Sequence, residues 1–540
     1  MLYIKKALKA YSRPIIAVDT EDNSAGKVLL INIFDGQNHF TFTDPLKFLD
    51  KIYSIERPSY IVCHNLQYDL INIFRDLNFR YIDSLIFTST IVKATMLENK
   101  HIWLDSFSFA RFSLKYIGKI INHEKLDFAP DSVEYCRRDT EIVYFFMQHL
   151  LRFLSDYRCE LGCTIGQMSL NIFRQHFLKR NYRPHNSPLS LSAYYGGRCE
   201  VFYKGKMEDE IYYSDVVSMY PYVMQKSFPD TNTESIKNCY HTAPHGAGIF
   251  SVNVPEKTFI PILPFRAKNK KLLFPVGKFI GAFTFSELRL AENFGVTVLK
   301  EIESEGYKKC VYPFIKFTEH FFQKKKAAST EYERTFFKLI LNNLYGKLAQ
   351  HTPRRRMSTQ PRKKKGEKEI NRLGVFHVFE SEPNAEINNT VYLWGAYVTS
   401  YARIELFKRL NHVYESGARL LYCDTDSVLY NNKKNLFPES TGKLGEMDTK
   451  KFYGGEFLTA KCYVLNNKAG KPDRIACKGV PSDYAMNFIT GGEATFKKPV
   501  KLREGLIQDI TANIWHDVTK EFISVYDKRE GSPVTFPVKI

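Results

Sequence analysis

Three carboxylates stand where a chain would not ordinarily leave them. Asp215 lies in the apolar segment IYYSDVVSMYP (211–221), and Asp424 and Asp426 flank the turn of ARLLYCDTDSVLYN (418–431). Aspartates are seldom buried unless paired or metal-bound, so three of them at apolar strand ends ask for a compensating cation. Mg²⁺ suits them: it is hard, prefers oxygen, and is held by one or two carboxylates together with substrate phosphates. Two such ions can activate an attacking hydroxyl and stabilise a leaving phosphate oxygen in one in-line displacement. Taken alone, YCDTDS fits equally a turn in which Asp424 and Asp426 are only turn formers.

The stretch KKKAASTEYERTFFKLILNNLYGK separates these readings. Lys338, Asn342 and Tyr345 fall at i, i+4 and i+7, so they share one helix face with Gly346 at its foot, and Arg334 extends that face one turn earlier. Phe337, Leu341 and Leu344 form the apolar face beside it. A cationic stripe ending in an aromatic ring suits a triphosphate and a base.

The N-terminal part repeats the theme. Asp19 and Glu21 are i and i+2 on a strand and point to one side of it. Asn65 and Asp69 follow the next core strand, and Tyr135 and Asp139 share a helix face at i, i+4.

The elements that position these groups alternate. Segments 15–20, 28–34 and 59–65 read as buried strands, and 45–53, 67–77 and 131–154 as helices, an α/β domain of about 150 residues. A helical connector at about 156–180 leads to SAYYGGR (192–198), whose paired glycines imply a tight turn or a close backbone approach. In a second α/β region, 211–221 reads as a strand ended by Pro221, 418–431 as a hairpin, and 314–350 and 394–411 as helices. The last 60 residues read as a small mixed cap.

With 540 residues, 44% hydrophobic and 25% charged, the chain suits several globular units and excludes a disulfide-stapled module or bulk disorder. Its net charge of +19 favours a polyanionic partner. Residues 1–150 hold 18 basic and 18 acidic side chains, so the excess lies beyond them. Residues 353–372, PRRRMSTQPRKKKGEKEINR, carry nine basic and two acidic groups and read as a basic arm too polar to pack in a core. The ten cysteines lack zinc-site spacing, which implies a reduced intracellular compartment. No apolar run is long enough to span a bilayer, so no membrane partner is expected.

In order along the chain, DVVSMYP (215–221), KLILNNLYG (338–346) and YCDTDS (422–427) resemble motifs A, B and C of family B DNA polymerases. The resemblance implies Asp215 and Asp426 as metal ligands, with Val216 in that set and Asp424 in support. It implies Lys326, Arg334, Lys338, Asn342, Tyr345, Gly346 and Val216 at the incoming nucleotide. Tyr220 would exclude ribonucleotides, its ring leaving no room for a 2′-hydroxyl. DTE, HNLQYD and YCRRD resemble the family's three exonuclease motifs, so Asp19, Glu21, Asp69 and Asp139 would hold two metals and Tyr135 would orient the attacking water. Lys125 would be a further catalytic cation, with Lys115 and Lys119 as competitors. Ser106, Asn65 and Tyr68 would hold a single-stranded primer end. KCY (461–463) resembles the KxY motif, in which Lys461 and Tyr463 steady the primer terminus. YYGG (194–197) resembles the YxGG motif, in which Tyr194, Gly196 and Gly197 guide the template. Thr425 joins the DNA-binding set.

Compactness, and long segments on either side of the 314–350 helices, resemble the protein-primed branch of bacteriophages, adenovirus-like viruses and linear plasmids. The expected fold is α/β multidomain: an RNase H-like exonuclease domain followed by a right-hand polymerase with two insertions. The expected units are 1–155 exonuclease, 156–227 connector and palm, 228–313 first insertion, 314–350 fingers, 351–390 second insertion, 391–497 palm and 498–540 thumb. The expected cofactor is Mg²⁺, two ions per site, replaceable by Mn²⁺. The expected partners are template and primer DNA, deoxynucleoside triphosphates and a terminal protein. The chain is expected to act as a monomer inside the cell, in host cytoplasm or, if plasmid-encoded, in a mitochondrion. Within the family the alternative is a polymerase using an ordinary primer or none; outside it, an inactive DNA-binding scaffold. The basic arm reads either as a solvated tract or as a hairpin closing over downstream duplex.

Overall fold

The computed structural model describes residues 2–5, 13–23, 26–87, 90–183, 187–350, 355–381, 390–499, 515–521 and 528–540. Residues 500–514 and 522–527 of the expected 498–540 unit therefore lie outside the described residues, as do positions 353 and 354 of the basic arm.

The strand Ile15–Asp22 is almost continuously buried because it is covered on both faces. Ile15 and Ala17 pack with Ile142, Val143 and Phe146 of the helix Val133–Asp156. Ile16 and Val18 pack with Leu70 and Phe74 of the helix Leu66–Phe74. On its edges run Val28–Phe34, antiparallel, and Tyr60–Cys63, parallel. The sheet continues through Ile102–Asp105, Ile91–Met96 and Ile82–Phe87.

Beyond Ile82–Phe87 the sheet is extended by three strands from far along the chain: Arg355–Ser358, Phe376–Ser381 and Glu367–Leu373. Met357 pairs with Leu85, and the Ser358 and Thr359 hydroxyls donate to the carbonyls of Asp83 and Ile82 at 2.6 and 2.5 Å. Met357, Leu373, Phe376 and Val378 join one apolar cluster with Phe79, Ile82 and Leu85. The basic arm is therefore not too polar to pack, and it is not merely solvated. Its apolar share comes from alternate positions of Phe376–Ser381, downstream of the basic run, and its buried Arg356 is paired with Glu367 at 2.6 Å. The lysines at 363, 364, 365 and 368 stay exposed at the outer end.

A second sheet of seven strands runs Pro472–Cys477, Cys462–Asn466, Met447–Thr459, Gly205–Val216, Ser427–Asn431, Arg419–Asp424 and Cys199–Val201. The strand bearing Asp215 stops at Val216, before Pro221. Ser218 takes a left-handed conformation at φ 54°, and Pro221 lies inside the short helix Met219–Val223. Behind this sheet runs the helix Tyr392–Glu415, buried on nearly every side, with the indole of Trp394 donating to the Pro229 carbonyl.

The helices Ile315–Lys326 and Glu331–Leu348 pack on each other, and Thr330 and Glu333 close a capping box at the start of the second. Residues 236–307 build a four-stranded sheet with the helix Phe285–Asn293. Residues 528–540, expected within the last unit, pack instead against the strand Cys199–Val201 and that four-stranded unit. The Thr535 hydroxyl donates to the Val201 carbonyl at 2.6 Å, and Val276 bridges to Lys539.

Candidate active sites

The first site forms where Ile15–Asp22 meets the helix Val133–Asp156. One carboxylate oxygen each of Asp19, Glu21 and Asp139 lies within 4.8 Å of the others. Burial and mutual repulsion push Asp19 well above the usual carboxylate range and Glu21 up to about 7. Asp69 stands behind them, fully buried, and accepts from the Thr20 hydroxyl at 2.9 Å. Burial raises its pKa too, and Asp139 rises for the same reason. Asp69 Oδ2 and Asp139 Oδ1 are buried with no hydrogen-bond partner. Acids pushed toward protonation with orphaned oxygens are a donor set that fits a divalent cation.

Of the three competing lysines, Lys125 is the one ion-paired to Asp139, and its ammonium sits 4.2 Å from the centre of the Tyr135 ring. Burial would lower the Lys125 pKa, but Asp139 holds it above the ordinary value. Asn65 is exposed at the helix entrance with φ 73°, its amide donating to Asp105. Tyr68 is half-buried and donates to Asp22. Ser106 does not fit its expected role at a primer end: it is fully buried and its hydroxyl meets His64 Nδ1 at 2.9 Å. The burial that removes Ser106 from the surface also lowers His64 to about 4. The SFS turn is capped from within by Asp105, which local spacing does not reveal.

The second site sits on the seven-stranded sheet. Asp215 pairs in register with Ser427, and the Val216 amide donates to the Asp426 carbonyl at 2.9 Å, so motif A and the hairpin turn are joined. Burial, with Asp215 and Asp424 adding repulsion, pushes Asp426 up to about 7. Burial also raises Asp215 to about 6, with Arg474 the chief cation opposing the rise and Asp448, opposite it on the neighbouring strand, adding to it. Asp424 is ion-paired with Lys461 at 2.7 Å. Asp215 and Asp426, both raised by burial, are a donor pair that fits a divalent cation, although they have no orphaned buried oxygen like those of the first site. Asp448 is an acid that sequence reasoning missed; no local motif marks it, only the strand register.

Thr425, at φ 59°, packs against the glycine pair. A Cβ on Gly197 would lie 2.7 Å from the Thr425 hydroxyl, whereas one on Gly196 would meet open space. Gly197 serves close approach, Gly196 does not, and neither has positive φ. Tyr194 is half-buried in the same loop. Tyr463 departs from expectation: it is 4% exposed, its ring 4.9 Å from that of Tyr422, so it does not offer a face to a strand.

Over the site lie the two helices. Lys338 and Arg334 are exposed on one face, Asn342 and Tyr345 are half-buried below them, and Gly346 lies in the last turn. The ring of Tyr345 stacks on Tyr220. Lys326 points outward beside Phe322. Its neighbour Lys325, missed by sequence reasoning, reaches inward, its ammonium 3.3 Å from the Ser218 hydroxyl. Burial and then Lys338, Arg334 and Lys326 lower its pKa. In a run of three lysines nothing but helix phase distinguishes them.

Residues 118–391 match the family described as DNA polymerase type B, organellar and viral. The chain belongs to this family. The DNA-directed DNA polymerase of Enterobacteria phage PRD1 is 27% identical over 359 residues, covering 61% of this chain and 59% of that protein. A probable DNA polymerase of Podospora anserina is 26% identical over 392 residues, 63% of this chain and 32% of its own length. The chain thus matches well under two thirds of either relative. In fold, the type B chain is similar to Phi29 DNA polymerase. The orthorhombic crystal form gives a TM-score of 0.75 at 17% identity, covering 95% of this chain and 100% of that one. The complex with primer-template DNA gives 0.73 over 94% and 100%. The expected multidomain α/β fold therefore extends over nearly the whole chain.

Proposed function

We propose that the protein is a DNA-directed DNA polymerase with 3′-5′ proofreading exonuclease activity, primed by a terminal protein and able to displace strand. In this reading the N-terminal sheet is the exonuclease, the seven-stranded sheet the palm, the two packed helices the fingers, and residues 228–313 and 351–390 the insertions of the protein-primed branch. The observation that carries the polymerase reading is the pair Asp215 and Asp426, held near neutral pKa values and facing a helix of cations. Acids in that state are ready to exchange a proton for a cation, and cations opposite them are placed for a triphosphate.

At the synthetic site Mg²⁺ would supply charge stabilisation at the α-phosphate, held by Asp215 and Asp426. Lys338, Arg334 and Lys325 bind the triphosphate, Tyr220 bounds the sugar, and Lys461 reaches toward the primer end while neutralising Asp424. The attacking hydroxyl is a primer 3′-OH or a side-chain hydroxyl of the priming protein. At the exonuclease site Asp19, Glu21, Asp69 and Asp139 would hold the metal charge, and Lys125 and Tyr135 together orient water.

The test separates the sites. Asp426→Ala abolishes incorporation and spares degradation of single-stranded DNA, and Asp19→Ala does the reverse; a folded variant losing both activities would refute the two-site assignment. Protein priming is read by transfer of labelled nucleotide to a separate protein hydroxyl, and label on free DNA alone counts against it.

A further inference from the structure

Arg474 belongs to no motif, yet it ties together three strands of the polymerase site. It lies on Pro472–Cys477, the edge strand of the seven-stranded sheet, opposite Leu465. Two strands, Cys462–Asn466 and Met447–Thr459, separate that edge from Gly205–Val216. Its side chain nevertheless crosses to the latter: Nη2 donates to the Tyr213 hydroxyl at 2.9 Å, and the guanidinium carbon is 4.1 Å from the Tyr213 ring centre. Its charge also acts on Tyr463, the second residue of the KxY motif. Tyr213 lies on the strand whose Asp215 pairs with Ser427, next to Asp426. The face between is filled by Phe452, Phe457, Tyr463 and Leu465, so the guanidinium caps an apolar cluster and is fixed there by the Tyr213 phenol.

We propose that Arg474 is a positioning residue for the primer terminus, clamping the strand of Tyr463, with Lys461 in the turn just before it, against the strand that carries Asp215. The inference rests on the polymerase reading above. A planar guanidinium can lie over the Tyr213 ring and donate to its hydroxyl at once, and a point-charge ammonium cannot do both. With Tyr463 buried, the KxY strand offers Lys461 to DNA, and its place relative to Asp215 depends on what ties the strands across the sheet. Arg474 makes that tie from a side chain still open to solvent.

The test uses Arg474→Ala, Arg474→Lys and Tyr213→Phe in the full chain, with steady-state incorporation measured against primer-template and against nucleotide. Arg474→Ala is expected to raise KM for primer-template about tenfold, equivalent to roughly 1.4 kcal/mol, with nucleotide KM unchanged. Its exonuclease rate on single-stranded DNA stays at the parent value, so on primer-template the balance moves toward degradation. Tyr213→Phe moves primer-template KM the same way by less, and Arg474→Lys restores it only in part. An unchanged primer-template KM, a change confined to nucleotide KM, or full rescue by lysine would overturn the proposal. Should Arg474→Ala melt early, the lysine and phenylalanine variants decide on the same readout. A parent protein without incorporation would overturn the polymerase reading itself, which separates the two failures.

Discussion

The ring of Tyr220 lies on the ring of Tyr345, centroids 4.2 Å apart and planes 23° apart. One phenol comes from the turn after Asp215 and the other from the helix above, so the stack closes the space between the acids and the cationic face. In the proposed function a nucleotide entering there would part the two rings, with Tyr220, held by the short helix Met219–Val223, as the one under the sugar. Tyr220→Ala is expected to reduce discrimination against ribonucleotides about tenfold or more, read as the ratio of kcat/KM for the two sugars. An unchanged ratio would remove Tyr220 from that role.

Lys325 and Lys326 point different ways from adjacent positions. Lys325→Ala is expected to raise nucleotide KM about tenfold, the scale of one charge-assisted contact to phosphate. Lys326→Ala, whose ammonium lies beside Phe322, changes it less. The reverse order would return the triphosphate to Lys326.

Acid pairs with raised pKa values weaken the metal-free protein. Asp426 at about 7 and Glu21 at about 7 bind protons that the unfolded chain has released, so stability from these groups is full at low pH and falls as pH rises toward 7. Asp426→Asn, in chelator at pH 7.5, is therefore expected to raise Tm by a few degrees while ending synthesis. The gain should shrink as pH falls and vanish only below about 4, where the unfolded carboxylate is protonated as well. A Tm lowered at pH 7.5 would contradict the repulsion described.

Metal binding must then release protons. Titration of Mg²⁺ at pH 6.5 in two buffers of different ionisation enthalpy is expected to show proton release that shrinks above pH 8, and the Mg²⁺ needed for half activity rises as pH falls below 7. Buffer-independent heats at pH 6.5 would be inconsistent with protonated acids at either site.

In the proposed function the basic arm contributes to salt dependence through its exposed cations, the lysines at 363, 364, 365 and 368 among them. Replacing Lys363, Lys364 and Lys365 by serine is expected to reduce the slope of log affinity for DNA against log salt by roughly 2 to 3. Deleting the arm is a poorer experiment, because Arg355–Ser358 is also a strand of the N-terminal sheet. An unchanged slope would mean that these lysines do not meet phosphate.

What was legible in the sequence was local. Asp19 with Glu21, Tyr135 with Asp139, and Lys338 with Asn342 and Tyr345 obey period 2 or period 3.6, and the structure keeps each set on one face. Features set by distant partners were not legible. Ser106 looks like any polar loop residue until His64 is seen against it. Asp448 meets Asp215 only through strand register, and Arg474 reaches Tyr213 across two strands. The arm misled because its apolar half lies after it, in Phe376 and Val378, and its buried cation finds Glu367 eleven residues on. Pro221 looked like a strand breaker, yet the chain turns earlier, at Ser218.

The sheet shared by Ile82–Phe87 and Arg355–Ser358 also orders events at the ribosome. At roughly 5–20 residues per second, the second strand emerges some 15–50 s after the first. For that interval the edge at Leu85 has no neighbour, and Phe79 waits for Phe376. A nascent N-terminal domain is thus an open template for another chain. Chaperone occupancy should peak in that window, and a fragment ending at residue 155 should aggregate where the full protein does not.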